Sequence, residues 1–218
     1  VPHPRLPLEI FTRLLGELFS GLSYMHQSSV VHRDIKPDNV MLVRALDKID
    51  DVNGGIVKII DYGHSRTLPS KNARLNPGVL TANDRGTELY RAPETVATKK
   101  NRSAEYSTKV DIYAAGVICW EMWVRQLPFA QEQKTSRLRV EQMVADGGRP
   151  EIPPDCPPGY ASLIRWCWEH APSVRATADE ALEQIMSGTL FNDWPLTSLQ
   201  SILDAVSTGY WKRCPEFG

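Results

Sequence analysis

A short polar stretch, His32–Asn39, carries the side chains in this sequence that are best suited to chemistry. Asp34 is a carboxylate in a loop between a helical pattern and a β-rich run, and Lys36 follows two residues later, so extended backbone places both on one side. Asp61 follows a second β-rich run, 22 residues after Asn39. Asn39 and Asp61 are hard oxygen donors, which Mg²⁺ accepts alongside phosphates. A base, a cation and a magnesium pair are the groups needed to move a phosphoryl group.

The elements that position these residues are indicated by hydrophobic periodicity. Apolar residues at helical intervals predict a long amphipathic helix over 8–26, directly before the polar stretch. Short β-rich runs at 40–43 and 56–60 flank a polar segment, 47–55, and predict a hairpin. From residue 61 to about residue 109 there is little periodicity, and a loop of that length in a compact domain is typically functional.

The second half of the chain has the pattern of a helical domain. Residues 108–124 are apolar around most of their circumference, which predicts a buried central helix. Further helices are predicted near 135–146, 159–169, 177–187 and 197–206. Two of these have a capping box and one ends at a glycine: Thr177 with Glu180, Thr197 with Gln200, and Gly188. The predicted fold class is mainly α, with a small β-hairpin and one long loop.

Composition narrows the class of protein. The 218 residues hold 25 Lys and Arg against 26 Asp and Glu, so the overall charge does not point to nucleic acid or to an acidic membrane surface. The 42% hydrophobic content is enough for a core and excludes a disordered chain. The longest uncharged apolar run, Ile112–Trp120, is far shorter than the roughly 20 residues of a membrane-spanning helix. Four scattered cysteines predict buried, idle thiols in a reducing, cytoplasmic compartment.

The motifs and their order resemble the eukaryotic protein kinase family. His32–Asn39 is similar to the catalytic loop of that family, and Asp61-Tyr62-Gly63 to its Asp-Phe-Gly magnesium motif. Ala92-Pro93-Glu94 resembles the motif that closes the activation segment. Asp111–Gly116 resembles the start of the central helix, and Arg175 stands where the family keeps an arginine that pairs with the glutamate of Ala-Pro-Glu.

The resemblance assigns chemical roles to individual residues. Asp34 is expected to orient the acceptor hydroxyl and take its proton, and Lys36 to neutralise the transferring phosphate. Asn39 and Asp61 are expected to hold two Mg²⁺ ions, with ATP as the phosphate donor and a protein as the acceptor. Asp111 is expected to accept backbone hydrogen bonds from the catalytic loop.

Other residues are assigned to the nucleotide side or to the framework by the same resemblance. Lys36, Asp38 and Asn39 are expected beside the nucleotide. Met41 and Ile60 are expected to line its pocket from below, with plain core packing as the open alternative.

Framework and regulatory positions complete the assignments. Glu94 and Arg175 are expected to form a buried ion pair, and His32, Gly63 and Thr87 to support the motifs. Arg33 is expected to respond to a phosphate on the activation segment, since such a phosphate carries roughly two negative charges. The candidate phosphate acceptors are Ser65, Thr67, Ser70 and Thr81, with Thr81 preferred.

Some features of the sequence favour one branch of the family. Lys36 and Thr87 resemble serine/threonine kinases, whereas Cys167-Trp168 together with Arg175-Ala176-Thr177 resembles the tyrosine-kinase-like group. Tyr62 in place of phenylalanine, with an enlarged hairpin before it, resembles the leucine-rich-repeat (Roco-type) kinases.

The resemblance covers only the larger lobe of a kinase. The 218 residues contain no Gly-x-Gly-x-x-Gly, and Lys58 occupies the strand before Asp61 rather than the place of the phosphate-binding lysine. Residues 1–188 are therefore interpreted as a C-lobe whose N-lobe lies upstream, in a fragment or processed product with weak nucleotide binding and negligible transfer by itself. Residues 189–218 are interpreted as a C-terminal helical extension, which packs on the domain or docks a partner.

Two other function classes stay open at this point. A lobe-only or pseudokinase binding module could keep the same residues without catalysis. A small-molecule phosphotransferase of kinase-like fold could share Asp34 and Asn39, although such enzymes generally lack the Ala-Pro-Glu motif. His3 and His26 are interpreted as a loop residue and a helix-end residue without a special role.

Overall fold

Helices dominate the part of the chain that the computed structural model describes, which is residues 8–43, 56–69, 88–96, 107–130 and 137–192. The helices are α1 (Leu8–Gln27), α2 (Lys109–Val124), α3 (Arg137–Ala145), α4 (Pro158–Cys167) and α5 (Ala178–Met186). Each agrees with its predicted range to within two residues, so these predictions are confirmed. The helix predicted at 197–206 lies outside the described residues. In the described ranges, no helix has both the length and the apolar character needed to cross a membrane.

Two small antiparallel sheets flank the polar stretch found in the sequence. β2 (Val40–Leu42) pairs with β3 (Val57–Ile59), which confirms the predicted strand runs, while the 47–55 loop lies outside the described residues. β1 (Val30–Val31) pairs with β4 (Arg66–Thr67), and this pairing was not predicted because two-residue strands are too short to show a period. The polar stretch therefore leaves one sheet and enters the other.

An aromatic cluster closes the base of the fold. The Tyr160 ring of α4 lies 5.2 Å from Phe11 of α1 and 5.4 Å from Phe191, measured between ring centroids. Phe191 belongs to a 3₁₀ turn, Thr189–Phe191, and is buried. Phe191 is therefore packed against α1 and α4.

Helix α2 runs through the interior, as its sequence predicts. A Cβ atom added to Gly116 would lie only 2.7 Å from Cys167 Cβ, so α2 and α4 approach more closely than a larger residue allows. Cys119, Cys156 and Cys167 are buried free thiols, and burial raises the pKa of Cys119 to about 12. The prediction of buried thiols is confirmed for these three; Cys214 lies outside the described residues.

Candidate active site

The carboxylate of Asp34 is the centre of a contact cluster in the loop between β1 and β2. Lys36 Nζ lies 2.8 Å from Asp34 Oδ2. Asn39 closes the loop from a 3₁₀ turn, where its Nδ2 donates to the Asp34 carbonyl at 2.7 Å and to Oδ2 at 3.0 Å. Asp34 and Asn39 are buried, and Lys36 is largely so. Three side chains that the sequence predicted to cooperate are therefore in direct contact.

His32 ties this loop to the strand that leads into Asp61. Its ring is fully buried, and Nδ1 accepts a hydrogen bond from the Asp34 amide at 3.3 Å. Because Nδ1 accepts, the ring proton is on Nε2, which donates to the Ile60 carbonyl at 2.9 Å. One imidazole thus fixes the backbone on both sides of the site.

Asp111, at the start of α2, anchors the loop from below. Its Oδ2 accepts from the His32 amide at 2.9 Å, and its Oδ1 accepts from the Arg33 amide at 2.8 Å. Arg33 has a φ of 73°, a left-handed conformation that is costly for a residue with a Cβ. The two charge-assisted bonds offset that cost, because Asp111 is almost wholly buried.

His26 is a supporting residue that the sequence interpretation missed. Its Nε2 lies 2.9 Å from Asp111 Oδ2, and the residue is buried at the end of α1. The prediction of a helix-end residue is confirmed, but the interpretation that His26 has no special role was wrong. The contact joins positions that are 85 residues apart, and nothing local to His26 signals its partner.

Asp61 lies at the end of β3, beside the contact cluster. The Ile60 amide donates to the Asn39 carbonyl at 2.9 Å, so Asp61 is one residue beyond the backbone partner of Asn39. Asp61 has a φ of 62°, and its Oδ1 accepts from the Gly63 amide at 3.3 Å. Asp61 and Gly63 are exposed, and Tyr62 is half exposed with its hydroxyl donating to the Ile59 carbonyl at 3.3 Å.

The donor chemistry of Asn39 and Asp61 fits the magnesium predicted from the sequence. Asn39 uses both amide hydrogens on Asp34, which leaves its Oδ1 without a partner among the described residues. Those residues hold no group of three or more His, Cys, Asp or Glu side chains placed for a metal. A single amide oxygen and a single carboxylate suit Mg²⁺, which completes its shell with phosphate and water oxygens.

Three of the residues predicted beside the nucleotide, Asp38, Met41 and Ile60, are exposed on the hairpin or in the turn before it. Met41 is 48% exposed and Ile60 is 38% exposed, so the alternative of plain core packing is wrong for both. Asp38 is exposed in the turn that precedes β2. The exposure of Met41 and Ile60 leaves apolar side chains at the surface close in sequence to Asn39 and Asp61.

Glu94 and Arg175 form the ion pair expected from the sequence. Arg175 Nη1 lies 2.7 Å from Glu94 Oε1, and Nη2 lies 3.0 Å from Oε2, so the pair is bidentate. Arg175 is fully buried and also donates to the carbonyls of Lys109, Glu169 and His170. Its guanidinium lies 5.2 Å from the Tyr113 ring, and burial raises the pKa of Tyr113 to about 12. The pair therefore joins the 88–96 segment to α2.

Several predicted regulatory positions lie outside the described residues. They are Ser70, Thr81 and Thr87. Of the other phosphate-acceptor candidates, Ser65 donates its hydroxyl to the Tyr62 carbonyl at 2.7 Å, and Thr67 is exposed in β4.

The segment that follows the long loop is held to two helices. The Tyr90 hydroxyl donates to Glu121 of α2 at 2.5 Å, and Arg91 Nη1 lies 3.1 Å from Glu141 Oε1 of α3. Sequence reasoning named neither Glu121 nor Glu141. Each is an ordinary charged residue on a helix, and only the fold shows its partner.

Comparison with known proteins decides the family. A model described as "Protein kinase domain" matches residues 4–186 of the chain. The chain belongs to the protein kinase family. The resemblance in the sequence is therefore confirmed at the level of a protein kinase domain, and the mainly helical fold agrees with it.

Relatives of this kinase domain include proteins named as serine/threonine kinases. "Serine/threonine-protein kinase STY46" of Arabidopsis thaliana is 31% identical over 169 residues, which cover 78% of this chain and 25% of that protein. "Cyclic GMP-binding protein C" of Dictyostelium discoideum is 32% identical over 174 residues, which cover 78% of this chain and 6% of that protein. The chain thus spans a quarter or less of the length of these curated relatives.

Proposed function

We propose that this chain is the catalytic lobe of a serine/threonine protein kinase, which transfers the γ-phosphate of ATP to hydroxyl groups of protein substrates. The observation that carries the proposal is the contact cluster of Asp34, Lys36 and Asn39. The cluster lies one backbone hydrogen bond away from the strand that leads to Asp61. We infer that a base, a cation and two oxygen donors act together at this edge of the hairpin, as phosphoryl transfer requires.

Asp34 acts as the base. It orients the acceptor hydroxyl and takes its proton as the hydroxyl oxygen bonds to the γ-phosphorus. The bond from that phosphorus to the bridging oxygen breaks, and ADP leaves with the electron pair. The hydrogen bonds from Asn39 and the contact with Lys36 hold the Asp34 carboxylate in one orientation before the substrate arrives.

Charge on the phosphates is balanced by the residues around Asp34. Lys36 neutralises the transferring phosphate from its position 2.8 Å from Asp34. Asn39 and Asp61 would hold the metal ions, and Mg²⁺ bound there would supply positive charge to balance that of the phosphates. Asp38, Met41 and Ile60 face the nucleotide from the exposed side of the hairpin.

Substrate class and regulation follow from the same motifs. Lys36 and Thr87 favour serine and threonine over tyrosine as acceptors, and the chain is assigned to the tyrosine-kinase-like group, near the Roco type. Arg33 is assigned to a phosphate on the activation segment, with Thr81 as its preferred carrier. A partner N-lobe provides the glycine-rich cover and the phosphate-binding lysine that the 218 residues lack.

Phosphate transfer by the full-length protein tests the proposal. Purified protein is given Mg²⁺, labelled ATP and a mixed serine/threonine peptide substrate. Asp34→Asn is expected to lower the rate by about 10²–10⁴-fold, the range typical of removing a general base. Glu183→Gln, which changes an exposed carboxylate of α5, is the matched control and is expected to keep the wild-type rate.

The same assay separates the other function classes. A wild-type protein that binds ATP but transfers no phosphate, with Asp34→Asn behaving identically, would support a binding module instead. Transfer to a small alcohol but not to peptides would support a small-molecule phosphotransferase. Either result contradicts the proposal.

A further inference from the structure

Strand β3 controls the position of Asp61, because only one residue, Ile60, separates the end of the strand from Asp61. The catalytic-loop side of this strand is fixed by His32 and by Asn39, both of which bond to the Ile60 backbone. The opposite end of β3 requires a separate anchor, since the strand pairs only with β2 among the described residues.

Glu17 of α1 is that anchor. Its Oε2 accepts from the Ile56 amide at 2.6 Å and from the Val57 amide at 2.8 Å. Its other oxygen, Oε1, lies 2.9 Å from Arg13 Nε, one helical turn earlier. The Glu17 side chain is 23% exposed, so most of it is removed from competing water.

The strand register explains why the Val57 amide is available to Glu17. Backbone bonds join Asn39 with Ile60 and Val43 with Ile56, so these are hydrogen-bonded positions of the ladder. Val57 lies opposite Leu42 at a non-hydrogen-bonded position, where the amide points away from the neighbouring strand. Glu17 therefore satisfies a donor that the hairpin cannot satisfy by itself.

A second contact aligns α1 with the same strand. A Cβ atom added to Gly21 would lie 3.1 Å from Ile59 Cδ1, so the helix approaches the strand closely one turn after Glu17. Glu17 and Gly21 thus touch β3 at its start and near its end. These two contacts with α1 fix both the position and the direction of β3.

We propose that Glu17 is a positioning residue for Asp61, acting through the backbone of β3 to fix the metal-holding carboxylate. This inference rests on the proposed function, because it takes Asp61 as a metal ligand. The side-chain contacts of Glu17 are with Arg13, Ile56 and Val57 rather than with Asn39 or Asp61. Its effect is to keep the start of the strand from shifting, since a shift there moves Asp61 relative to Asn39.

Magnesium dependence of ATP binding to the full-length protein tests this role without requiring turnover. ATP affinity is measured by calorimetry over a series of Mg²⁺ concentrations. Glu17→Ala is expected to raise the Mg²⁺ concentration for half-maximal strengthening of ATP binding about 3–10-fold, at or below the range for groups that orient metal ligands. Glu17→Gln keeps an acceptor oxygen and is expected to recover part of the loss.

Asp179→Asn is the matched control. Asp179 also accepts hydrogen bonds from α1, donated by Ser23 and Gln27, but these join α1 to α5 rather than to β3. It is expected to leave the Mg²⁺ dependence unchanged. Hydrogen exchange of the Ile56 and Val57 amides is followed in metal-free protein and is expected to speed up in Glu17→Ala alone.

The outcomes distinguish this inference from the proposed function. Unchanged Mg²⁺ dependence in Glu17→Ala, or an equal change in Asp179→Asn, overturns the positioning role. A wild-type protein whose ATP binding does not depend on Mg²⁺ overturns the positioning role as well. Normal Mg²⁺-dependent binding that responds to Glu17, without phosphate transfer, supports the positioning role and contradicts only the proposed function.

Discussion

The loop that carries Asp34 and the strand end that carries Asp61 lie side by side but are held in different ways. In the loop, His32 and Asn39 are buried, and the backbone is bonded to the buried carboxylate of Asp111. At the strand end, Tyr62 is 50% exposed, and the Asp61 side chain bonds to the nearby Gly63 amide. Both regions contain a residue with positive φ, but among the described residues only the loop backbone is bonded to the buried carboxylate of Asp111.

The difference shows that the two halves of the proposed chemistry depend on different parts of the fold. The base side is determined by the interior, through α2 and the end of α1. The position of Asp61, the proposed metal ligand, is determined by strand β3 and by the contacts of Glu17 at the start of that strand. Damage to the core should therefore disable Asp34 first, whereas damage to the hairpin should disable metal binding first.

Removing the Asp111 carboxylate is expected to have the largest effect on stability among the changes considered. Asp111→Ala leaves the His32 and Arg33 amides and the buried His26 without their partner. We expect a loss of about 3–5 kcal/mol in the free energy of unfolding, the usual cost of breaking a buried charged contact from one side. Urea unfolding of wild type and variant measures it. A loss no larger than that of Glu17→Ala would contradict the claim that the loop depends more on the interior.

Two glycines provide the next test, with effects of opposite sign. Gly116→Ala places a Cβ atom 2.7 Å from Cys167 Cβ, and we expect it to destabilise the fold by about 1–3 kcal/mol through overpacking. Gly16 lies inside α1, and a Cβ atom there would meet only Met186 Sδ at 3.9 Å. Gly16→Ala should therefore stabilise the fold by about 0.5–1 kcal/mol, because alanine favours helix.

Thermal unfolding of both glycine variants measures the two effects together. The expected result is a lowered midpoint for Gly116→Ala and a raised midpoint for Gly16→Ala. Equal shifts would show that the close approach of α2 and α4 does not control the interior that supports Asp111.

The smallest expected effect is a loss of stability at acid pH that depends on Glu17. Burial by itself raises the pKa of Glu17, but the amide bonds from Val57 and Ile56 and the nearby Arg13 outweigh it and lower that pKa below its usual value. A carboxylate with a lowered pKa contributes stability above its unfolded pKa, and this contribution is lost as the pH falls through the folded pKa.

Glu17→Gln should therefore flatten the pH dependence of stability in the acid range. As the pH falls below the usual pKa of glutamate, we expect the free energy of unfolding of the wild type to fall more steeply than that of Glu17→Gln. Chemical denaturation at several pH values measures the difference. Parallel curves for the two proteins would contradict the anchoring role of Glu17.

Much of the fold was predictable because its signals are local. The helical period predicted α1, and the apolar circumference of α2 predicted its burial. The Thr177–Glu180 capping box is present at the start of α5, with both of its hydrogen bonds. Each signal lies within a few neighbouring residues, so a single sequence contains all of the information.

The supporting residues were not predictable, because their partners are distant in the chain. His26 meets Asp111 across 85 residues, and Glu17 meets Val57 across 40. A glutamate on an amphipathic helix ordinarily faces solvent, so its sequence context favours the wrong environment. For Met41 and Ile60 the sequence left core packing open beside the pocket-lining role, since apolar residues in a β-rich run look the same on either face.

Separate measurement of ATP binding and phosphate transfer tests the central claim most directly. In the full-length protein, Asp61→Asn should remove about tenfold or more of the Mg²⁺-dependent strengthening of ATP binding, whereas Asp34→Asn should keep that strengthening and lose transfer. That result would place the base on the buried loop and the metal on the strand end. Equal loss of Mg²⁺-dependent binding in both variants, or full transfer by Asp34→Asn, would contradict the account.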